Sequence, residues 1–404
     1  MRIALATVGT TGDIAPFVLL ARRLVSRGHE VTAISWPVHR AALSEAGVRV
    51  EVAGPHADAG RIAAVAADVA GRPPLQQVAI LRDFHLADGE DHYRRLRTLL
   101  PGHDVVVVHG IHVLAHAAVL DAGLAFATAV FDPVLLPTRS APPPGLPPLG
   151  PLNRPAWWAL DRILARAGRP VDRILARAGS AQRGLPLFRA RSPRLHLLAC
   201  SPAIIRVPPD LPAGTLVTGG WLDDRPVPPL PSDLEGFLAD GAAPIVIGFG
   251  SMAGASDAAI DGAIRAILDS GRRVVVQGSI AADVTSPSLI RIGAVDHRAL
   301  FPRTALVVHH GGSGTTHAVV AAGAPSLVIP HVGDQPYWAD RLRRLGVAPQ
   351  PQQVRGLQAE RLAAAALAAA TDPAMRERAA ALAGELEKER GLDVAARAIE
   401  GFAR

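Results

Sequence analysis

The stretch Ala305–Gly346, ALVVHHGGSGTTHAVVAAGAPSLVIPHVGDQPYWADRLRRLG, leaves this chain few ways to fold. The apolar run Ala305–Val308 predicts a short buried parallel strand. It breaks into His309-His310-Gly311-Gly312-Ser313-Gly314-Thr315-Thr316, and an Ala/Val-rich helix is expected from His317. A second apolar strand, Ser326–Pro330, leads to a loop holding Asp334 and Gln335. Strand, Gly-rich turn and helix together present backbone N–H groups at a helix N-terminus, which suits an anion. Gly311, Gly312 and Gly314 allow a diphosphate to approach closely, the Ser313 and Thr315 hydroxyls add donors, and a histidine supplies a proton or charge.

With 404 residues the chain can build two core-bearing domains, and at 49% apolar and 19% charged it is globular. Its net charge of +6 is almost wholly arginine, since Lys388 is the sole lysine. A P-loop lysine and a lysine Schiff base in the body of the protein are thereby excluded. Scattered arginines mixed with acids, with five Trp and two Tyr for stacking, argue against a nucleic-acid partner. Cys200 stands alone, so no intrachain disulfide can form and a reducing compartment is expected. Met1–Val8 is too short for a signal peptide, and no apolar run approaches the ~18 residues of a membrane span. The expected location is cytoplasmic.

Arg2–Val8 predicts a strand, Gly9–Asp13 a turn, Pro16–Gly28 a helix and Glu30–Ser35 the next strand, the opening of a doubly wound sheet. Val48–Ala53, Asp104–Val108, Ala125–Phe131 and Leu195–Cys200 extend it. His109, His112 and His116 admit three readings: metal ligands, lining of an acceptor site, or structural histidines. The first lacks the glutamate of HExxH and a fourth ligand. DRILARAG occurs twice, at Asp161–Gly168 and Asp172–Gly179, and a period of eleven lets both copies present one Ile/Leu face of a helix. Arg225–Leu234 contains four prolines, which suits a stiff connector. Pro244–Phe249, Arg273–Gln277 and Ile290–Ala294 are strands, Ile260–Leu268 and Arg361–Glu389 helices.

HHGGSGTT followed by GDQPYWADRLRRLG resembles the donor signature of family 1 glycosyltransferases, especially sterol-glucosyltransferase-like and bacterial antibiotic-modifying enzymes. VGTTGDIAPFVLLARRLVSRGHEV, LLACSPAIIRVPPDLPAGTLVTGGWLDD, GFGSM and AVDHRALFPRTALVVHHGG resemble further motifs of the same families. The likeness is densest at 1–35, 195–222, 245–252 and 290–348 and weakest at 54–190, the region that would select the acceptor. It implies the GT-B fold, an α/β architecture of two Rossmann-like doubly wound domains facing an interdomain cleft. The boundaries expected are 1–222 for an acceptor domain joined by a crossing helix at 391–404, 223–242 for the linker, and 243–390 for the donor domain.

The resemblance implies an inverting, metal-independent O-glycosyltransferase that uses a nucleotide sugar as co-substrate, with no cofactor or metal. The main reading is glucose or a related hexose from UDP, moved to a hydrophobic natural product or sterol-like lipid. The alternatives are a dTDP-deoxysugar transferase of antibiotic biosynthesis, a non-catalytic auxiliary homologue, or an epimerase on the same fold. Monomer and homodimer stay open. Donor binding falls to Gly12, Ser251, Val295, His309, Gly311, Gly312, Ser313, Gly314, Thr315, Asp334 and Gln335, with His309 at the diphosphate, Ser251 at donor phosphate and Asp334-Gln335 on sugar hydroxyls. His310 is structural or functional. Plant-type relatives carry glutamate at the place of His317, so the ribose contact differs here. Asp13 is the leading general base, although an isolated aspartate with a pKa near 4 is a weak one. Orienting a histidine, positioning the acceptor and capping a helix are its other readings.

Overall fold

The computed structural model describes residues 1–144, 146–147, 149–250, 257–278, 280 and 283–402. They form two compact units, residues 1–62, 74–222 and 390–404 in the first and 63–73 and 223–389 in the second.

The first unit holds β1 (Arg2–Ala6), β2 (Glu30–Ser35), β3 (Arg49–Val52), β4 (Val105–His109), β5 (Phe126–Val130), β6 (His196–Leu198) and β7 (Thr215–Val217). They make one parallel sheet in the order β3-β2-β1-β4-β5-β6-β7. β1 pairs with β2 through Ile3–Val31 and with β4 through Ile3–Val105. The near-continuous Val, Ile, Leu and Ala runs follow from burial on both faces. Ile3, Leu5, Val105 and Val107 pack on one face with Phe17, Leu20 and Ile399. Ala4, Ala6, Val106 and Val108 pack on the other with Tyr93, Leu96 and Leu175. This is the two-residue alternation of a strand.

The second unit holds β8 (Ile245–Gly248), β9 (Val274–Gln277), β10 (Leu289–Ile292), β11 (Leu306–His309) and β12 (Ser326–Val328), ordered β10-β9-β8-β11-β12 and again parallel. Both sheets reverse strand order once, between β1 and β4 and between β8 and β11.

Several boundaries differ from the sequence reading. Residues 63–73, assigned there to the first domain, belong to the second unit: Ala66 joins its core and the Gly71 N–H donates to the His331 carbonyl at 3.3 Å. An alanine-rich helix face carries no mark of which core it will meet. The 223–242 connector is partly helical, because Leu234 and Leu238 of the helix Ser232–Ala239 are buried one turn apart in the second unit. The DRILARAG copies lie on two helices, Asn153–Ala167 and Arg169–Arg177, separated at Gly168. Pro170 starts the second, having no N–H to continue the first. Both copies bury leucine, Leu164 and Leu175, but Ile163 is exposed. The long C-terminal helix divides into Ala359–Thr371 and Pro373–Leu386, with Asp372 capping the second through the Met375 N–H at 3.0 Å.

The helix Gly391–Phe402 belongs to the first unit, against the helix Thr11–Ser26. Its Ala395, Ala396 and Ile399 are fully buried, and Glu400 accepts from Arg27 at 2.7 and 2.8 Å and faces His29 Nε2 at 2.8 Å. A Cβ on Gly391 would lie 2.2 Å from the Gly220 carbonyl oxygen. Gly391→Ala is therefore expected to lower stability by about 1–3 kcal/mol, read as a fall in Tm; an unchanged Tm would refute the close approach. The Arg27 hydrogen bond, then that of His29, lowers the Glu400 pKa from 4.5 to about 2. A depressed carboxyl pKa stabilises the folded state above the unfolded value and loses that effect as pH falls through the folded one. The stability gap between wild type and Glu400→Gln should be full above pH 4.5 and close towards pH 2, as urea unfolding at stepped pH would show.

Candidate functional site

In a parallel sheet every strand delivers its C-terminal end to the same edge, and ligands bind there where the strand order reverses. Each unit carries one such place.

In the first unit it lies between the ends of β1 and β4. The helix after β1 starts at Thr11, with Asp13 in its first turn. Asp13 Oδ2 accepts from the Thr10 N–H at 2.7 Å and the Thr10 hydroxyl at 2.9 Å, half of a capping box. Gly9 is needed for this reach, since a Cβ there would sit 2.4 Å from that oxygen and its φ is +121°. The other carboxylate oxygen faces Nε2 of His109, the last residue of β4, at 4.0 Å. The His109 ring lies between Phe17 and Phe131, both 5.3 Å away, and its Nδ1 faces the Val8 carbonyl at 3.2 Å. Burial among these rings lowers its pKa, partly offset by the Asp13 charge.

Asp132, just past β5, is the second carboxylate here. Burial, opposed by the Val134 N–H and reinforced by the Asp13 charge, raises its pKa to about 6. His39 bonds the Gly9 carbonyl through Nε2 at 2.9 Å, and burial lowers its pKa. His85, brought to about 4 by burial, lines a recess with Val8, Ile111, His112 and Phe188. Of the histidines read together in the sequence, only His109 meets Asp13. His112 caps the next helix through the Ala115 N–H at 3.4 Å, and His116 packs on Phe126. No group of three or more His, Cys, Asp or Glu arranged to hold a metal occurs among the described residues. Gly12 is exposed in the first helical turn.

In the second unit the reversal lies between β8 and β11. The helix after β11 begins at Ser313, four residues earlier than expected, so Ser313, Gly314 and Thr315 form its first turn. The two histidines before it divide sharply. His309 is the last residue of β11 and fully buried. Its Nδ1 accepts the Gly311 N–H at 3.1 Å and its Nε2 faces the Ser326 hydroxyl at 3.3 Å, while burial lowers its pKa to about 3. Both ring nitrogens of His309, expected at the diphosphate, thus have partners within the protein interior. His310, one residue off the strand, places its ring between two glycines: a Cβ on Gly312 would meet its Nε2 at 2.5 Å, and one on Gly250 its Cε1 at 3.8 Å. Burial lowers its pKa to about 4, and its Nδ1 has no partner among the described residues. Gly311 is in the left-handed region (φ +87°), and a Cβ there would strike Val328.

The Asp334-Gln335 pair is less open than expected. Gln335 is buried, and its side-chain oxygen accepts from the His331 and Val332 N–H groups at 2.7 and 3.0 Å. Asp334 stands just before the helix Gln335–Arg344, without a side-chain capping bond, and accepts from the Trp338 indole at 2.6 Å. His317 is buried against Trp338, with Nδ1 2.7 Å from the Ser313 carbonyl. Val295 is half-buried in the loop after β10. Ser251 lies outside the described residues. The sequence reading did not pair His109 with Asp13 and did not single out Asp132, His39 or His85. The only available signal was that β1 and β4 are neighbours.

No helix among the described residues is long and apolar enough to cross a membrane. Residues 255–399 match the family described as erythromycin biosynthesis protein CIII-like, C-terminal domain. The chain is 32% identical to O-mycaminosyltylonolide 6-deoxyallosyltransferase of Streptomyces fradiae, over 100% of this chain and 98% of that protein. It is 32% identical to vancomycin aglycone glucosyltransferase of Amycolatopsis orientalis, over 99% and 97%. The solved glycosyltransferase VinC, in complex with dTDP, superposes with a TM-score of 0.69 at 19% identity, covering 100% of this chain and 99% of that one. Likeness of this degree along the whole chain makes the protein a member of the family 1 glycosyltransferases of the GT-B fold, alongside enzymes of antibiotic biosynthesis.

Proposed function

We propose that this glycosyltransferase moves a deoxysugar from a dTDP-sugar to a hydroxyl of a hydrophobic antibiotic aglycone, with inversion and without a metal ion. The main sequence expectation, glucose from UDP, yields to its alternative. One relative is a 6-deoxyallosyltransferase, and a structural neighbour was solved with dTDP, while a glucosyltransferase among the relatives keeps glucose the runner-up. The observation that carries the sugar choice is the engagement of Asp334 and Gln335. With the Gln335 oxygen held by two backbone N–H groups and Asp334 bonded to Trp338, the pair has few acceptors left for sugar hydroxyls. A sugar with fewer hydroxyls loses least in such a site.

The acceptor oxygen attacks the anomeric carbon as the bond to the diphosphate breaks, and the departing electron pair stays on the phosphate. Backbone N–H groups of the turn at Ser313–Thr315 meet that charge, with the His310 ring beside them. Gly250 and Gly314, where a Cβ would meet little or nothing, leave the phosphates room to come close, and Val295 lies on the loop proposed to hold the base.

A ligand bound only by the folded state raises its Tm, so dTDP should give a clearly larger rise than UDP at equal concentration. A larger rise with UDP, or turnover of UDP-glucose but of no dTDP-sugar, would overturn the donor choice. His310→Ala should reduce turnover by about 10²-fold with Tm nearly kept. His309→Ala should instead lower Tm by several degrees, because it leaves the buried Gly311 N–H and Ser326 hydroxyl without partners. Equal Tm and lost turnover in His309→Ala alone would return the phosphate role to His309.

A further inference from the structure

We propose that Asp13 and His109 accept the acceptor's proton as one unit, with Asp13 touching the hydroxyl and His109 behind it as the proton's resting place. This rests on the glycosyl-transfer reading above and names the proton's route within it.

Four observations fix the order of the two groups. The Thr10 N–H and hydroxyl hold Asp13 Oδ2, which leaves Oδ1 aimed at His109. His109 Nδ1 faces the Val8 carbonyl at 3.2 Å and the Thr7 hydroxyl at 3.4 Å; the nearer group can only accept, which favours the neutral ring with its hydrogen on Nδ1 and a lone pair on Nε2. Two acceptors thus face each other across 4.0 Å, longer than a hydrogen bond, with a place for a proton between them. Finally, the Asp13 side chain is 31% exposed and that of His109 only 3%, so the carboxylate is in front and the imidazole behind.

The balance of the step follows. The acceptor O–H bond breaks and its proton goes to Asp13 Oδ1. The freed oxygen pair forms the bond to the anomeric carbon, and the carbon–oxygen bond to the diphosphate breaks with its electrons leaving on phosphate. The proton then passes from Oδ1 to Nε2, which restores the carboxylate beside an imidazolium. Once the proton is on Nε2, the imidazolium stands beside the restored Asp13 carboxylate as its ion partner. The other titratable groups that act on this pair are His39, His85, His112 and Asp132. Of these, Asp132 is the one acid, and Asp132→Asn serves as the control.

The test compares wild type, His109→Gln and Asp132→Asn at saturating donor and acceptor. His109→Gln should lower kcat by about 10²-fold and leave both KM values in place. Wild-type kcat should fall on the acid side as His109 is protonated, below the ordinary value of 6.5 because burial disfavours its charged form. That limb should move to lower pH in His109→Gln and stay in Asp132→Asn. Independently of turnover, the His109 ring is followed by NMR in the ligand-free protein, assigned by its loss in His109→Gln. Asp13→Asn should lower its midpoint, since the Asp13 charge supports the imidazolium. Unchanged kcat in His109→Gln, or a midpoint indifferent to Asp13→Asn, overturns the pair. A wild-type enzyme that turns over no nucleotide sugar would sink the functional reading instead, and the NMR midpoint would still decide whether Asp13 and His109 act together.

Discussion

The constraint on which both sites depend is that parallel strands end on one edge. Seven strands in the first unit and five in the second each bring their loops to that edge. At each reversal of strand order, two adjacent loops diverge and leave a gap walled by backbone. Asp13 and His109 come from the two strands flanking the first gap, β1 and β4. Gly250 and His310 come from those flanking the second, β8 and β11. About a hundred residues separate the members of the first pair, and sixty those of the second. Hydrophobic alternation that buries Ile3, Val105, Ile245 and Leu306 therefore fixes where the polar groups after those strands must stand.

Burial then decides what those polar groups can do. It pushes His85, His109, His309 and His310 below their ordinary pKa, so all four rings are neutral near pH 7. It pushes Asp132 the other way, to about 6. The same desolvation that keeps imidazoles uncharged favours the protonated carboxyl, and the two trends bring acid and base strengths together.

The strands were largely legible. Glu30–Ser35 came out to the residue and most others within one or two, because runs such as Val105–Val108 have no other reading. The Gly-rich turn and the helix after it were legible too, although the helix starts at Ser313 and not at His317. What sequence could not give was the direction of single side chains. Ending β11 at Val308 puts both histidines in the loop. Ending it at His309, paired with Val328 and Gly248, sends that ring into the packed face and makes His310 the first residue free of the sheet. Alanine-rich segments failed for a different reason: residues 63–73 look alike whichever core they join.

His109 shows the same sensitivity from the other side. It too ends a strand, one residue beyond the expected limit, and it too is buried. The neighbouring strand makes the difference. Beside His309 stands Ser326 of β12, a short hydroxyl that completes the ring's hydrogen bonding within the fold. Beside His109 stands the turn after β1, where Gly9 lets Asp13 fold back and leaves one carboxylate oxygen facing the ring without closing on it. A side chain on Gly9 would push Asp13 away and turn this histidine into another core residue. The capacity to move a proton is thus set by a missing Cβ next to an ordinary helix cap, and no composition or periodicity of the sequence carries that information.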